Sequence, residues 1–258
     1  MLRSFLLLLI LTLAACAPRP KVVVPEVEPT AQLVETLLAS LARNAEAAHA
    51  LEGFARVRIV HPERRLGANQ VLFIEKPDRL RSETLSPFGT PVLLAATDGE
   101  ELSVYLPSDR SFYRGQASLE NIQRFVPIPL QVADLVHIVL YDPPVIPYVD
   151  THLRVDPQRG YVLTLRGDGG VRQEVVFDGR LRVRAANYYL DETLHMAIGY
   201  DQFDENLIPA FPLTIEMRMP QLDTRATIDL RDIELNPAIP ATRFSLTPPE
   251  GVPILPIP

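Results

Sequence analysis

The stretch Gln70-Val-Leu-Phe-Ile-Glu75-Lys-Pro-Asp-Arg79-Leu-Arg-Ser-Glu-Thr-Leu85 decides how the rest of the chain is read. Two runs with strand character are separated by Lys76-Pro77-Asp78, a connection only long enough for a hairpin. The same arrangement continues downstream. Val92–Thr97, Leu102–Leu106 and Ser111–Arg114 follow one another through short links such as Asp98-Gly99. Strands joined this closely run antiparallel, so the region is a meander. Val71–Ile74 and Val92–Ala96 are apolar at successive positions rather than at alternate ones. A sheet that is apolar on both faces must be covered on one and must itself cover something on the other.

Upstream of the meander, Leu33, Leu37, Leu41, Ala45 and Ala48 recur at helical spacing, which predicts a helix over Thr30–Leu51 with Thr30 as its N-cap. Ala55, Val57 and Ile59 then alternate with Arg56 and Arg58, a strand with one wet face. Downstream, Ser118 can cap a short helix through Phe125, and Leu130–Leu140 carries Val132, Leu135, Val136 and Val139 on one side until Asp142-Pro-Pro144 stops it. Strands resume at His152–Val155 and continue to Leu235. Arg180–Leu190 is among them, alternating strictly at its start. In Thr224–Leu235 the apolar parity slips between Leu230 and Ile233, which suggests a bulge. The expectation is one α+β domain over residues 30–247: an incomplete antiparallel β-barrel of about eleven strands, with helices on its concave side. Residues 248–258, rich in proline, read as an edge-packed or loose tail.

The N-terminus makes a different kind of statement. A single arginine, Arg3, precedes the apolar run Phe5–Leu11 and then Leu13-Ala-Ala-Cys16. This is a secretory signal over residues 1–15, too short to be a membrane-spanning helix. Its end resembles a bacterial lipobox, and Cys16 is the one cysteine among 258 residues. A lipobox implies covalent diacylglycerol and an N-acyl group on Cys16, and multiple acyl chains anchor stably. Ala17 follows, where lipoproteins retained in the inner membrane often carry aspartate. The implied location is therefore the periplasmic face of the outer membrane. Four prolines over residues 16–29 favour an extended tether.

Composition narrows the chemistry. A formal charge of −7 argues against nucleic acid and against a general electrostatic grip on anionic lipid. With no second cysteine, stability must come from a core, and 47% hydrophobic residues can supply one. The five histidines never pair at a metal-ligand spacing, and neither a nucleophile elbow nor a phosphate loop occurs. No catalytic residue, cofactor or metal site is therefore expected. One position is out of place for a soluble chain. In Leu85-Ser-Pro-Phe-Gly-Thr-Pro-Val92, Phe88 occupies a Pro-x-Gly turn, where the backbone swings into solvent.

Ser86-Pro-Phe-Gly-Thr90 after a strand, Val126-Pro-Ile-Pro-Leu130 opening a helix, and the lipobox together resemble the family of the outer-membrane lipoprotein receptor LolB and its soluble relative, the carrier LolA. The resemblance covers roughly Leu51 to Leu140. It implies a half-closed barrel whose apolar cavity accepts acyl chains of other lipoproteins, with Leu72, Ile74, Leu94, Leu135, Val136 and Val139 as candidate wall residues. It also implies a membrane-inserting loop at Pro87, Phe88 and Gly89. The implied partners are acylated lipoproteins, a LolA-like carrier and outer-membrane lipid. The chain departs from the family in lacking tryptophan, so that leucine, phenylalanine and tyrosine would have to line the cavity, and in having Tyr141-Asp-Pro-Pro144 after the second helix. A non-catalytic lipid-binding sensor, or a structural lipoprotein of an envelope complex on the same fold, stands as the alternative.

Overall fold

A computed structural model of the chain describes residues 30–126 and 128–257. The signal segment, Cys16 and the tether lie outside the described residues, as do Pro127 and Pro258. Helix α1 (Ala31–Ala47) starts where Thr30 Oγ1 accepts the Leu33 N–H at 3.2 Å. It stops short of Leu51 because the chain from Ala50 onward has strand partners on both sides: Leu51 pairs with Ile74 and with Leu235. Here the ladder overrides helical periodicity.

Six strands follow as a meander: β1 (Ala50–Val60), β2 (Arg65–Glu75), β3 (Arg79–Leu85), β4 (Pro91–Thr97), β5 (Glu101–Leu106) and β6 (Ser111–Gln116). Two helices, α2 (Leu119–Gln123) and α3 (Val132–Val139), lead into a second meander. This comprises β7 (Asp150–Asp156), β8 (Gly160–Arg166), β9 (Val171–Phe177), β10 (Val183–Leu190), β11 (Thr193–Asp204), β12 (Phe211–Met219) and β13 (Thr224–Leu235). The last strand is β14 (Ile254–Pro256). All belong to one sheet in the order β14-β6-β5-β4-β3-β2-β1-β13-β12-β11-β10-β9-β8-β7. The two meanders are zipped together along β1 and β13, and the sheet is open at β14 and β7.

Among the described residues, fourteen strands stand where about eleven were expected. The proline-rich β14 shows one reason: pairing makes it a strand, since its sequence does not alternate. In β10 the opposite happens. The alternation of Arg180–Arg184 begins inside a turn, where Leu181 has φ +60° and Asp178 Oδ1 accepts the N–H groups of Arg180 and Arg182. The parity slip in β13 is a bulge: Asp232 and Ile233 together face the single residue Gly53 of β1.

Leu37 and Leu41 of α1 and Val132, Val136, Ile138 and Val139 of α3 share one hydrophobic core with β1, β2 and β8–β13. The second apolar face of the first meander is also covered. Leu246 and Val252, from the segment between β13 and β14, pack on Ala96 and Phe112, with Leu94 and Tyr105 beside them. Arg243 lies over the Phe73 ring at 4.6 Å, and its carbonyl accepts from Arg81. The C-terminal segment is thus a strap across the outer face of β2–β6, finishing as β14 in parallel with β6.

Candidate functional site

The inner face of the first meander is read directly from its register. Gln70, Leu72 and Ile74 of β2 pair with Thr84, Ser82 and Leu80 of β3, and these with Leu93, Ala95 and Thr97 of β4. Ala95 and Thr97 pair in turn with Val104 and Leu102 of β5. All of these side chains stand on one face, and they form one wall of a cavity of about 340 Å³. Val57 and Ile59 of β1 extend the wall. Across the gap lie Ile122 of α2, Phe125 and Val126 after it, then Ile128 and Leu130, then Leu135 and Val139 of α3.

The sheet wall carries small side chains at Ala68, Ser82 and Ala95, which leave room between sheet and helices. Protein interiors ordinarily leave few voids larger than a water molecule, and ligand clefts run from roughly 300 to 1,000 Å³. None of the described wall residues is ionisable. Gln70 Nε2 donates to Thr84 Oγ1 at 3.2 Å, so these two polar side chains satisfy each other. Such a surface suits hydrocarbon and would leave a charged group unpaired.

The roof is held from the far side. Tyr200 Oη donates to the Ile138 carbonyl at 3.1 Å, and Tyr188 Oη to the Pro144 carbonyl at 2.7 Å. Tyr141, at φ +59°, donates to the Val183 carbonyl and meets Tyr200, Phe203 and Phe211 edge-on. Burial pushes all three phenols well above their ordinary pKa, which keeps them neutral donors. Asp142 Oδ2 binds both Lys76 Nζ and His137 Nδ1 at 2.7 Å, and Lys76 Nζ also donates to the Ala45 carbonyl. The end of α3 is therefore pinned to the sheet and to α1, while Leu135 and Val139 overhang the cavity.

Of the six candidate wall residues, the structure brings Leu72, Ile74, Leu135 and Val139 together. Leu94 points the other way, because it is opposite Glu83 and Tyr105, and it packs under the strap. Its neighbours Leu93 and Ala95 face the cavity instead. Val136 is fully buried in the core behind α3 and does not reach the wall. Leucine and Phe125 line the cavity, but the tyrosines do not; they brace the solid half of the molecule. Sequence reasoning missed Phe125 and the small residues Ala68, Ser82 and Ala95. A small residue at alternate positions of adjacent strands was the available signal.

Phe88 is 94% exposed, at the tip of the β3–β4 hairpin. The turn is tightly made. Gly89 N–H donates to the Ser86 carbonyl, Ser86 Oγ accepts from Phe88 and Thr90, and Gly89 sits at φ +82°. A rigid turn thus holds an aromatic ring in solvent. Among the described residues no helix is long and apolar enough to cross a membrane, and no group of three potential metal ligands occurs.

The sequence matches no family model and no curated protein. Solved structures resemble the fold. A DUF1329 family protein from Desulfovibrio piger is similar with a TM-score of 0.55 at 14% identity, over 82% of this chain and 97% of that one. A LolA superfamily protein from Nitrosomonas europaea has a TM-score of 0.50 at 18% identity, over 82% and 97%. A domain from Vibrio parahaemolyticus named for outer-membrane lipoprotein sorting has 0.51 at 12%, over 81% and 94%. The chain therefore has a LolA-like fold: an open, mostly β architecture with few helices.

Proposed function

We propose that this chain is a lipoprotein anchored through acylated Cys16 to the periplasmic face of the outer membrane, where it receives acyl chains of other lipoproteins and helps insert them into the bilayer. In this reading the sheet is an incomplete barrel whose concave side is closed by α1, α2 and α3. The cavity carries the proposal, because its wall is apolar and free of ionisable groups. The LolA-like fold supports the same reading. Each methylene left in water costs about 0.8 kcal/mol, so acyl chains need such a shelter to cross an aqueous space. Release requires only that the bilayer hold the chains more tightly than the cavity does, and no bond is broken. Phe88, rigidly presented to solvent, is then the part that enters lipid.

Two measurements test the proposal. Mass spectrometry of the purified chain should detect copurifying acyl lipid, and a fluorescent fatty acid should be displaced by unlabelled palmitate. Phe88→Glu should fold and bind acyl chains normally yet fail to deliver a labelled lipoprotein to outer-membrane vesicles. A chain that binds no acyl probe overturns the cavity's role, and undiminished delivery by Phe88→Glu overturns the loop's.

A further inference from the structure

The β1–β2 hairpin leaves the sheet at the same end as Phe88 and projects further. Leu85, the last residue of β3, pairs with Asn69, whereas the β1–β2 ladder continues to Val60 opposite Arg65. At about 3.4 Å per residue, that is roughly 13 Å of additional strand. Exposed apolar residues gather at this end: Val60 and Leu66 on the hairpin, Phe88 and Val92 beside it, and Leu222 in the turn before β13. Leu66 and Leu93 also belong to the cavity wall, so the cavity extends to this same end.

Charge is distributed to match. Arg64 and Arg65 are exposed and have no ion-pair partner among the described residues, although most arginines of the chain do. Glu63, His61 and Asp223 share their cleft. Arg110, in the β5–β6 turn beside Asp109, also leaves at this end and likewise has no described ion pair. The turns at the opposite end of this meander carry Asp78, Asp98 and Glu100, and their one lysine, Lys76, is engaged by Asp142. An acidic chain thus keeps unpaired arginines beside its apolar rim.

We propose that the β1–β2 hairpin is a second bilayer contact, with Val60 and Leu66 at the acyl boundary and Arg64 and Arg65 on the phosphates of anionic lipid. This rests on the proposed role of Phe88 and extends it: the two hairpins rise side by side from one wall at the end of the cavity, where a departing acyl chain meets them. A basic side chain near an anionic leaflet contributes roughly a fivefold preference.

The chain contains no tryptophan, so one introduced residue reports alone. Val60→Trp and Phe88→Trp, each in the full lipidated chain, would be placed in phosphatidylethanolamine–phosphatidylglycerol vesicles carrying brominated acyl chains. Both tryptophans should be quenched, and Arg64→Glu with Arg65→Glu should shift the docking equilibrium of the Val60→Trp reporter at least about tenfold toward the unquenched state. Pro62→Trp, at the exposed turn, gives the same reading if Val60→Trp does not fold. Quenching at 88 but not at the β1–β2 hairpin overturns this proposal and leaves the role of Phe88 intact; quenching at neither overturns both. A concentration-dependent blue shift without vesicles would assign the hairpin to a second copy of the chain and also overturns it.

Discussion

Ser82 and Ala95 stand opposite each other on the β3–β4 ladder, both turned toward the cavity, and neither is large enough to fill it. With Ala68 they are the small side chains that leave room in the sheet wall. Replacing both by leucine should reduce fatty-acid binding at least roughly tenfold. Stability should be unchanged or raised by about 0.5–2 kcal/mol, the usual gain from filling a void. Probe titration and thermal melting on the same preparation check both halves of this expectation.

Leu246 supplies the matching control. It packs on the opposite face of the same strands, beneath the strap. Leu246→Ala should cost about 2–4 kcal/mol in urea unfolding, as buried leucine truncations do, while leaving the affinity of the folded protein for a fatty acid unchanged. A loss of affinity would mean that the two faces are mechanically coupled.

Gly53 is required by the bulge. A Cβ there would stand 2.8 Å from Ile233 Cγ2 and 3.0 Å from the Ile233 Cα, and a backbone atom cannot swing aside. Gly53→Ala should destabilise by about 1–3 kcal/mol with an unchanged denaturant slope. Equilibrium urea unfolding measures both.

Asp98 makes stability depend on acid. The Glu101 N–H, at 2.9 Å, is the main cause holding its carboxyl below the ordinary aspartate value, with the Glu100 N–H adding to it. Because the folded pKa is depressed, its contribution is fully present above the unfolded value of about 3.9 and is lost as pH falls through the folded one. Asp98→Asn, which removes the titrating charge, should melt below the parent at pH 7, and the difference should close as pH falls below about 4. Parallel melts across that range decide it.

How much of this was legible depends on what kind of signal each residue leaves. Alternation and turn chemistry located β3 and β13 to the residue, and a one-step slip in apolar parity located the bulge opposite Gly53. The run Val92–Ala96 could not say which parity faces inward. Only pairing with Ser82 and Val104 assigns Ala95 to the cavity and Leu94 to the strap. The strap itself has no periodicity, so its covering role follows from the bare outer face it meets. Phe88 was conspicuous because a Pro-x-Gly turn has one geometry, whereas the hollow depends on what the small residues do not fill.

The seam between β1 and β13 has a kinetic consequence. Val57 must find Ile228, a residue made after nearly all of the intervening chain. Pairings that distant close large loops, and chains dominated by them fold more slowly. The first meander must therefore persist with an unzipped margin at β1 until the second is complete. Its outer face stays bare longer still, until the last residues arrive to shield it.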